Sequence, residues 1–303
     1  MKQLNVMKHY KLWFVLSGTV ILLGLIMMLY NGFTGGWSNA LNLGIDFTGG
    51  TMMQIDMGKT VPVKEISDAL EEFNLNPEIV HAGQEKHEVI IKTKSSLDSN
   101  ERDAIYAKMK TTFGLEKIEE NVEQFGPSVG AEIRNKAMIG IAIASVAMLI
   151  YISIRFETVF GVAAIVALLH DVFFLISIYS IFRLNVSSSF IAAILTIVGY
   201  SINDTIVVFD RVRENVKREK TKDHFDLINT SVTQTLSRTL NTSLTTLVVI
   251  GALYVFGVST IKEFALPLFV GIAVGTYSSI FIASPVWALA RNYIGSKSGY
   301  GNK

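Results

Sequence analysis

The sequence predicts an α-helical multi-pass membrane protein with six transmembrane helices and a small α+β domain inserted between the first and the second. Half of the 303 residues are hydrophobic and 17% are charged, whereas soluble domains carry about 25% charged residues. Six apolar stretches approach or exceed the ~20 residues that cross a bilayer. They lie at approximately 12–30, 137–154, 158–181, 188–209, 238–257 and 264–290.

Composition argues against several other classes of protein. The net charge is +1 and no dense basic patch is present outside one short loop, so we expect no nucleic-acid partner. The absence of cysteine excludes disulfides, thiol catalysis and thiolate metal sites. The histidines lack metal-ligand spacing, and neither GxxxxGK[ST] nor GxGxxG occurs. We therefore expect no metal and no cofactor.

The first apolar stretch is predicted to be a retained helix. Its apolar run of ~19 residues is longer than the 7–15 of a signal peptide, and no A-x-A cleavage site follows it.

Lysine and arginine in the short loops predict the orientation of the helices. The N-terminus, the loop at 211–222 and the C-terminus are basic, whereas the short loops on the opposite side carry only Arg183 and Lys262. We expect both termini in the cytoplasm and residues 31–136 outside the cell membrane. The predicted division is 1–30 for the N-terminus and first helix, 31–136 for the extracytoplasmic domain with its core at about 51–126, 137–290 for the remaining helices, and 291–303 for a cytoplasmic tail.

Within 31–136 the sequence alternates between strand and helix patterns. MMQID, PEIVHA, EVIIKTK and KIEENVEQF are typical of strands. One helix is predicted after Pro62, and a second is predicted to be capped by Ser99 or Asn100 and to end at Gly114. The order β-α-β-β-α-β is the ferredoxin-like order, which supports many functions and determines none.

An aspartate inside an apolar span is costly and usually marks an ion pathway. Asp204 stands in GYSINDTIVVFD, ~9 Å inside the helix from the Asp210–Arg211 boundary at 1.5 Å per residue. A structural hydrogen bond is the alternative interpretation. Small and polar residues predict one sector around Asp204, formed by Thr196, Gly199, Tyr200 and Asn203 and extended toward the cytoplasm by Asp210 and Arg211.

The fifth stretch carries a polar stripe at three- and four-residue steps, which is one helix face. The stripe consists of Ser231, Gln234, Thr235, Arg238, Asn241, Thr242 and Thr245. Arg238 is predicted to lie at roughly the depth of Asp204. Because arginine stays charged while aspartate titration responds to burial and to nearby cations, the two predict a proton-carrying pair. The alternative is an arginine that reaches the lipid headgroups.

Other polar and small residues have both structural and functional interpretations. Asp171, beside His170 in the third stretch, is a second candidate ion-coupling carboxylate or a buried structural residue. In LGIDFTGGT, Gly49 and Gly50 permit a turn or a close backbone approach, and Asp46 is predicted to cap that turn. The small residues Gly271, Gly275 and Ser279 predict close helix packing.

Several motifs together resemble the SecF family, the membrane subunits of the bacterial SecDF protein-export complex in the RND superfamily. They are LGIDFTGGT, RFE at 155–157, HD at 170–171, GYSINDTIVVFDRVREN and LSRTLNTS at 236–243, and the resemblance covers the whole chain. It implies a SecD partner on a separate chain, association with the SecYEG channel and the SecA motor, and unfolded preprotein as the substrate on the outer face. It also implies that Asp204 and Arg238 lie on a proton pathway, so that the proton-motive force, or a sodium gradient, assists export.

Three other functions are alternatives to this one. A small-molecule efflux pump of the same superfamily would normally have twelve spans and two large outer domains. An intramembrane aspartyl protease would need Asp171 and Asp204 in contact, and its YD and GxGD motifs are absent, so we expect no enzyme activity. A passive membrane chaperone without ion coupling keeps the same fold, motifs and partners and is the main competitor.

Overall fold

The computed structural model describes residues 4–36, 39–83, 85–115, 121–155, 157–218 and 223–297. Its helices and strands follow one another in a simple order. They are α1 Tyr10–Gly35, α2 Ile45–Thr48, β1 Gly50–Asp56, α3 Val63–Leu70, β2 Glu78–Ala82, β3 Glu88–Thr93, α4 Ser99–Phe113, β4 Asn121–Phe125, α5 Pro127–Arg155, α6 Thr158–Ile181, α7 Ser188–Arg218, α8 His224–Phe256, α9 Ser259–Ser278 and α10 Ser284–Lys297. A π-helical segment, Ser279–Ala283, joins α9 to α10.

Six segments of the described chain are helical, apolar and long enough to cross a membrane, as the sequence predicts. Helix α6 has the predicted bounds, whereas α7 and α8 extend past the apolar stretches at 188–209 and 238–257. The extension of α7 is polar, and Glu214 pairs there with Arg211 and Arg218 at helical spacing. Such i,i+3 and i,i+4 ion pairs support a helix without apolar residues, which explains why hydropathy alone underestimates its length.

The helices differ in how much of their surface this chain covers. Half of the most apolar window is buried in α6 and in α7, and two thirds in the α9–α10 segment, against about a tenth or less in α1, α5 and α8. Helices α6, α7 and α9 therefore form the centre of the bundle, and the other three lie around it with exposed apolar faces.

Residues 50–125 contain a four-stranded antiparallel sheet, here called the sheet domain. Its strand order is β2-β3-β1-β4, and Met53 of β1 pairs with Ile91 of β3 and Val122 of β4. Alternate residues of β1 are buried, as expected for a sheet covered on one face. Helices α3 and α4 provide that cover through buried residues that include Ile66, Leu70, Ile105 and Met109.

The predicted cap of α4 was wrong by one or two residues. Asp98, and neither Ser99 nor Asn100, accepts a hydrogen bond from the Glu101 N–H at 2.8 Å, while the Glu101 carboxylate accepts one from the Asp98 N–H at 2.9 Å. This is a capping box, in which the cap must stand three residues before the glutamate. Helix α4 ends at Phe113, and Gly114 stops it as predicted, in a left-handed conformation with φ of +69°.

Small residues allow the central helices to approach closely. A Cβ on Gly275 of α9 would lie 3.0 Å from the Ser201 Cβ of α7, and one on Gly271 would lie 2.1 Å from the Ile197 Cδ1. On the opposite flank, a Cβ on Gly24 of α1 would lie 2.1 Å from the Ser177 Cβ of α6. These glycines set the distance between helices where lipid would otherwise compete for the contact.

We expect Gly24→Ala to destabilise the packing of α1 on α6 by about 1–3 kcal/mol, since the added methyl group overlaps the Ser177 Cβ and Cα. Gly18→Ala on the same helix is the matched control, because nothing lies within 4 Å of its Cβ position. Thermal unfolding of both variants in detergent measures the difference. Equal melting temperatures would contradict the close contact.

Candidate functional site

Asp204 lies on α7 at the centre of the bundle and is 2% exposed. Its Oδ2 accepts hydrogen bonds from the Ser243 Oγ of α8 at 3.1 Å and from the Thr276 Oγ1 of α9 at 3.4 Å. The two hydroxyl oxygens are 2.7 Å apart. The carboxyl group is therefore held by hydroxyls from two other helices.

Asp171 of α6 has a similar environment and is 1% exposed. Its Oδ2 accepts hydrogen bonds from the Ser201 Oγ at 2.5 Å and the Ser278 Oγ at 2.9 Å, and its Oδ1 lies 3.0 Å from the His170 Nδ1. The other ring nitrogen of His170 is buried without a partner among the described residues. Asp171 is thus in contact with an imidazole as well as with two hydroxyl groups.

The two carboxyl groups are supported by the same two helices. Ser201 and Asp204 are three residues apart on α7, and Thr276 and Ser278 are two residues apart on α9. Each carboxyl group nevertheless has its own pair of hydroxyls. A movement of α7 relative to α9 would change the surroundings of both.

The structure does not bring Arg238 to Asp204. Arg238 is exposed on α8, and no ion pair within the described ranges includes either residue. The expected direct pair is therefore not formed within this chain. Among the described residues, the side-chain groups that would stabilise an ionised Asp204 are the hydroxyls of Ser243 and Thr276.

The residues of the predicted polar sector on α7 are not among the hydrogen-bond partners of Asp204 in the described chain. Thr196 and Asn203 are exposed, and Gly199 has open space where a Cβ would lie. The Tyr200 hydroxyl donates to Thr242 O at 3.2 Å and lies 3.1 Å from the Thr246 Oγ1. The sector thus contributes to the contact with α8 and to an outward-facing surface.

Asp210 and Arg211 lie at the polar end of α7. Asp210 Oδ1 is 3.8 Å from the Arg155 Nη2, with both side chains about half exposed. Arg211 donates to the Gln234 Oε1 of α8 at 2.6 Å and pairs with Glu214. Asp210 thus connects α7 to α5, and Arg211 connects α7 to α8. Neither is bonded to Asp171 or Asp204 in the described part of the chain.

Helix α8 has two polar faces where the sequence predicted one stripe. The buried face repeats every four residues as Ser231, Thr235, Thr239 and Ser243, and the exposed polar residues include Arg238, Asn241, Thr242 and Thr245. Counting in steps of four from Ser231 would have found Thr239 and Ser243. The Thr239 Oγ1 is buried without a partner among the described residues.

Sequence reasoning also missed Ser201, Thr276 and Ser278, because single hydroxyl residues are common in apolar helices. Ser278 is fully buried and directly precedes the π-helical segment. The Ser284 Oγ donates to Ser279 O, five residues earlier, at 2.9 Å. Such π segments often occur at functional sites.

Asp46 binds a distant helix, so its predicted role as a cap of the local turn was wrong. Its Oδ2 accepts hydrogen bonds from the Ser188 N–H at 2.7 Å and the Ser188 Oγ at 2.6 Å, at the start of α7. Gly49 and Gly50 make the turn that follows, with φ of +79° and +148°. A Cβ on Gly50 would lie 2.2 Å from Thr93 O, so this position also needs a glycine for close backbone approach.

A cleft of about 830 Å³ lies between the sheet domain and the adjacent helix ends. Glu78, Lys92, Lys94, Arg183 and Asn185 are among the residues that line it. Desolvation raises the pKa of the Glu78 carboxyl, which Lys92 opposes, and desolvation also lowers the pKa of the Lys94 amine. Both shifts favour the neutral form, so contact between domain and bundle is made at the expense of charge hydration.

Comparison with known proteins identifies the class. The family model described as "Protein export membrane protein SecD/SecF, C-terminal" matches residues 105–293, and the "SecD/SecF GG Motif" model matches residues 37–61. The SecDF crystal structure from Thermus thermophilus aligns with 96% of this chain and 39% of its own, at a TM-score of 0.79 and 36% identity. The site and fold described above therefore belong to a SecD/SecF-type membrane protein.

Two curated relatives show which part of the SecD/SecF class this chain matches. SecF of Helicobacter pylori strain J99 is 37% identical over 93% of this chain and 86% of its own length. SecDF of Bacillus subtilis is 40% identical over 91% of this chain but only 37% of its own length. The chain thus spans less than half of the fused SecDF proteins and most of the separate SecF protein. The chain belongs to the SecF family, which confirms the resemblance seen in its motifs.

We expect Thr276→Val to destabilise the fold by about 1–3 kcal/mol, because Asp204 and Ser243 would lose a buried hydroxyl partner. The control is Thr196→Val on α7. Its hydroxyl makes the same kind of bond to the carbonyl four residues earlier but is exposed. Chemical or thermal unfolding in detergent compares the two. A larger loss at position 196 would contradict the buried hydroxyl network.

Proposed function

We propose that this chain is a SecF-type accessory subunit that assists preprotein export across the cell membrane, together with a SecD-type partner, and couples export to ion movement at Asp204. One observation carries the proposal. Asp204 is buried at the centre of the bundle with hydroxyl partners and no cation beside it among the described residues. A negative charge on such a carboxyl group is costly while the site is buried and less costly when water enters it, so its charge depends on its surroundings.

The physical basis is a difference in hydration between two states. A dry site favours the neutral, protonated carboxyl, and access to water favours the ionised form. Each charge that crosses the membrane provides about 2.3 kcal/mol per 100 mV, and ion binding biases a conformational equilibrium only by its difference in affinity for the two states. The oxygens of Asp204, Ser243 and Thr276 suit either a proton or sodium, so the proposal covers both ions.

The partner surface is proposed from the exposed polar face of α8 and the adjoining residues of α7. Arg238, Asn241 and Asn203 are exposed there, and polar groups on transmembrane helices usually face protein or water. A SecD-type chain is the proposed cover, since this chain matches only 37% and 39% of the length of two fused SecDF proteins. The Thermus SecDF is described as a translocon-associated membrane protein, which supports association of this chain with SecYEG and SecA.

The proposed orientation places the sheet domain on the outer side of the membrane. The basic loops support cytoplasmic termini and an extracytoplasmic segment at 31–136. The β-α-β-β-α-β order with strand order β2-β3-β1-β4 supports a ferredoxin-like class for the sheet domain. Unfolded preprotein is the proposed substrate on that side. Relatives are named as translocase subunits, in keeping with a role without enzyme activity.

Asp204→Asn is expected to abolish ion flux and to reduce late-stage preprotein export about tenfold, because asparagine neither gains nor loses a proton. Flux and export are measured in inverted vesicles that contain the SecD-type partner and the translocon, with proton and sodium gradients applied separately. Asp226→Asn, an exposed change in the first turn of α8, is the control. Undiminished flux and export in Asp204→Asn would leave the passive chaperone as the function.

Arg238→Gln is expected to reduce export strongly while the isolated subunit keeps its unfolding free energy within about 0.5 kcal/mol, since the side chain is exposed in this chain. Arg238→Lys, which keeps the charge, should retain part of the activity. Export assays and detergent unfolding give the two measurements. If Arg238→Gln lowers the unfolding free energy of the isolated chain by clearly more than about 0.5 kcal/mol, the arginine has a structural role within this subunit.

A further inference from the structure

The two helices that supply Asp204 and Thr276 are both held by residues 39–95 at the ends nearest the sheet domain. Asp46 binds the first residue of α7, and Lys92 of β3 binds Glu263 in the second turn of α9. These contacts join segments that are 142 and 171 residues apart in sequence. They are the structural basis of the inference.

The contact at α7 is a rigid joint. Asp46 satisfies the Ser188 N–H with a carboxylate, which suits the positive end of a helix dipole. Beside it, Gly44 N–H donates to Val186 O at 2.8 Å, and Val186 N–H donates to Asn42 O at 2.9 Å. The loop before α7 is therefore fixed to the segment before α2 by backbone as well as side-chain bonds.

Only a short stretch of chain connects this joint to the sheet. Asp46 is four residues before Gly50, the first residue of β1. On its other side, a Cβ on Gly130 of α5 would lie 2.7 Å from Phe47 O, so α2 is enclosed. A displacement of the sheet domain must therefore reach the start of α7.

The contact at α9 is polar and separable. Lys92 Nζ lies 2.5 Å from Glu263 Oε1, and the two side chains are 14% and 22% exposed. The Ser259 Oγ donates to His81 O, and Asn185 Nδ2 donates to Glu78 Oε2 at 2.6 Å. The sheet contributes the Lys92 and Glu78 side chains and the His81 carbonyl, which meet side chains of α9 and, at Asn185, of the loop before α7. No backbone ladder joins β2 or β3 to α9 in the described ranges.

Both helices carry the displacement to the buried site. Asp204 follows Ser188 by 16 residues, about 24 Å along a helix, and no proline intervenes. Thr276 follows Glu263 by 13 residues, about 20 Å, and α9 remains helical through Pro267. Because Gly271 and Gly275 fit closely against α7, a relative shift of the two helix ends changes the contact between Asp204 and Thr276.

We infer that Asp46 and Lys92 are positioning residues that tie α7 and α9 to the sheet domain, so that movement of this domain changes the surroundings of Asp204. The inference rests on the proposed function of Asp204. Asp46 acts as the fixed pivot and Lys92–Glu263 as the contact that opens.

The test uses the natural absence of cysteine. Spin labels at Lys110→Cys in the sheet domain and Phe182→Cys at the end of α6, both exposed positions, report the distance between domain and bundle. The full complex with its SecD-type partner is measured in vesicles. Lys92→Glu and Asp46→Ala are expected to shift or broaden this distance by several ångströms and to lower ion flux and export at least threefold. Asp46→Asn keeps an acceptor oxygen and should lose less.

A variant with the two charges exchanged distinguishes the loss of the Lys92–Glu263 contact from a general destabilisation of the fold. Lys92→Glu combined with Glu263→Lys restores the charge pair and is expected to return distance, flux and export to within twofold of the unsubstituted chain. Lys108→Glu, which breaks the pair with Glu72 inside the sheet domain, is the control and should change none of them. The inference is overturned if the single changes leave the distance or the flux unaltered, or if the exchanged pair restores neither.

Failure of this inference can be distinguished from failure of the proposed function. If Asp204→Asn abolishes flux while Lys92→Glu and Asp46→Ala do not, only the positioning role is wrong. If flux persists in Asp204→Asn, ion coupling at Asp204 is wrong, and the positioning role that rests on it is overturned with it, whatever distances the labels report.

Discussion

The hydroxyl shell around two buried carboxyl groups is the constraint on which the helix bundle depends. Asp171 and Asp204 are placed where a charge is expensive, and among the described residues only His170 offers either of them a partner that can carry positive charge. Serine and threonine from α7, α8 and α9 must therefore reach them at hydrogen-bond distance. That requirement fixes the rotation of each helix about its axis, since a turn of one residue would remove the hydroxyl from the site.

The glycines of α9 follow from the same constraint. A short serine or threonine side chain reaches a carboxyl group on the next helix only when the two backbones are close. Gly271 and Gly275 give α7 that closeness, and Ser201 lies directly against Gly275 while it donates to Asp171. Small residues and buried polar residues therefore act together. The glycines set the distance between the helix backbones, and at that distance the serine and threonine hydroxyls can bond to the carboxyl groups.

The sequence predicts the elements of this fold better than the contacts of its site. The spans at α6 and α7 begin where apolar runs begin, because exclusion from water acts locally along the chain. The buried aspartates stand out for the same reason. Apart from Ser243, which continues the four-residue repeat of α8, their hydroxyl partners do not stand out. Thr276 or Ser278 in an apolar helix has no local mark that distinguishes it from a hydroxyl bonded to its own backbone. The Asp46–Ser188 contact joins residues 142 positions apart and depends on tertiary structure that no short pattern contains. Likewise, hydropathy cannot separate the two polar faces of α8, because it records composition and not which neighbour each face meets.

The exposed polar face of α8 affects the stability of the subunit in the membrane before it assembles with a partner. One side of the helix is satisfied inside the bundle, while the side with Arg238, Asn241, Thr242 and Thr245 is exposed. In lipid, an exposed arginine and asparagine raise the free energy of the inserted helix. A subunit whose α8 face is open to lipid is therefore less stable in the membrane than one whose face is covered by protein. The proposed partner would then contribute to the stability of the inserted helix as well as to the function of the complex.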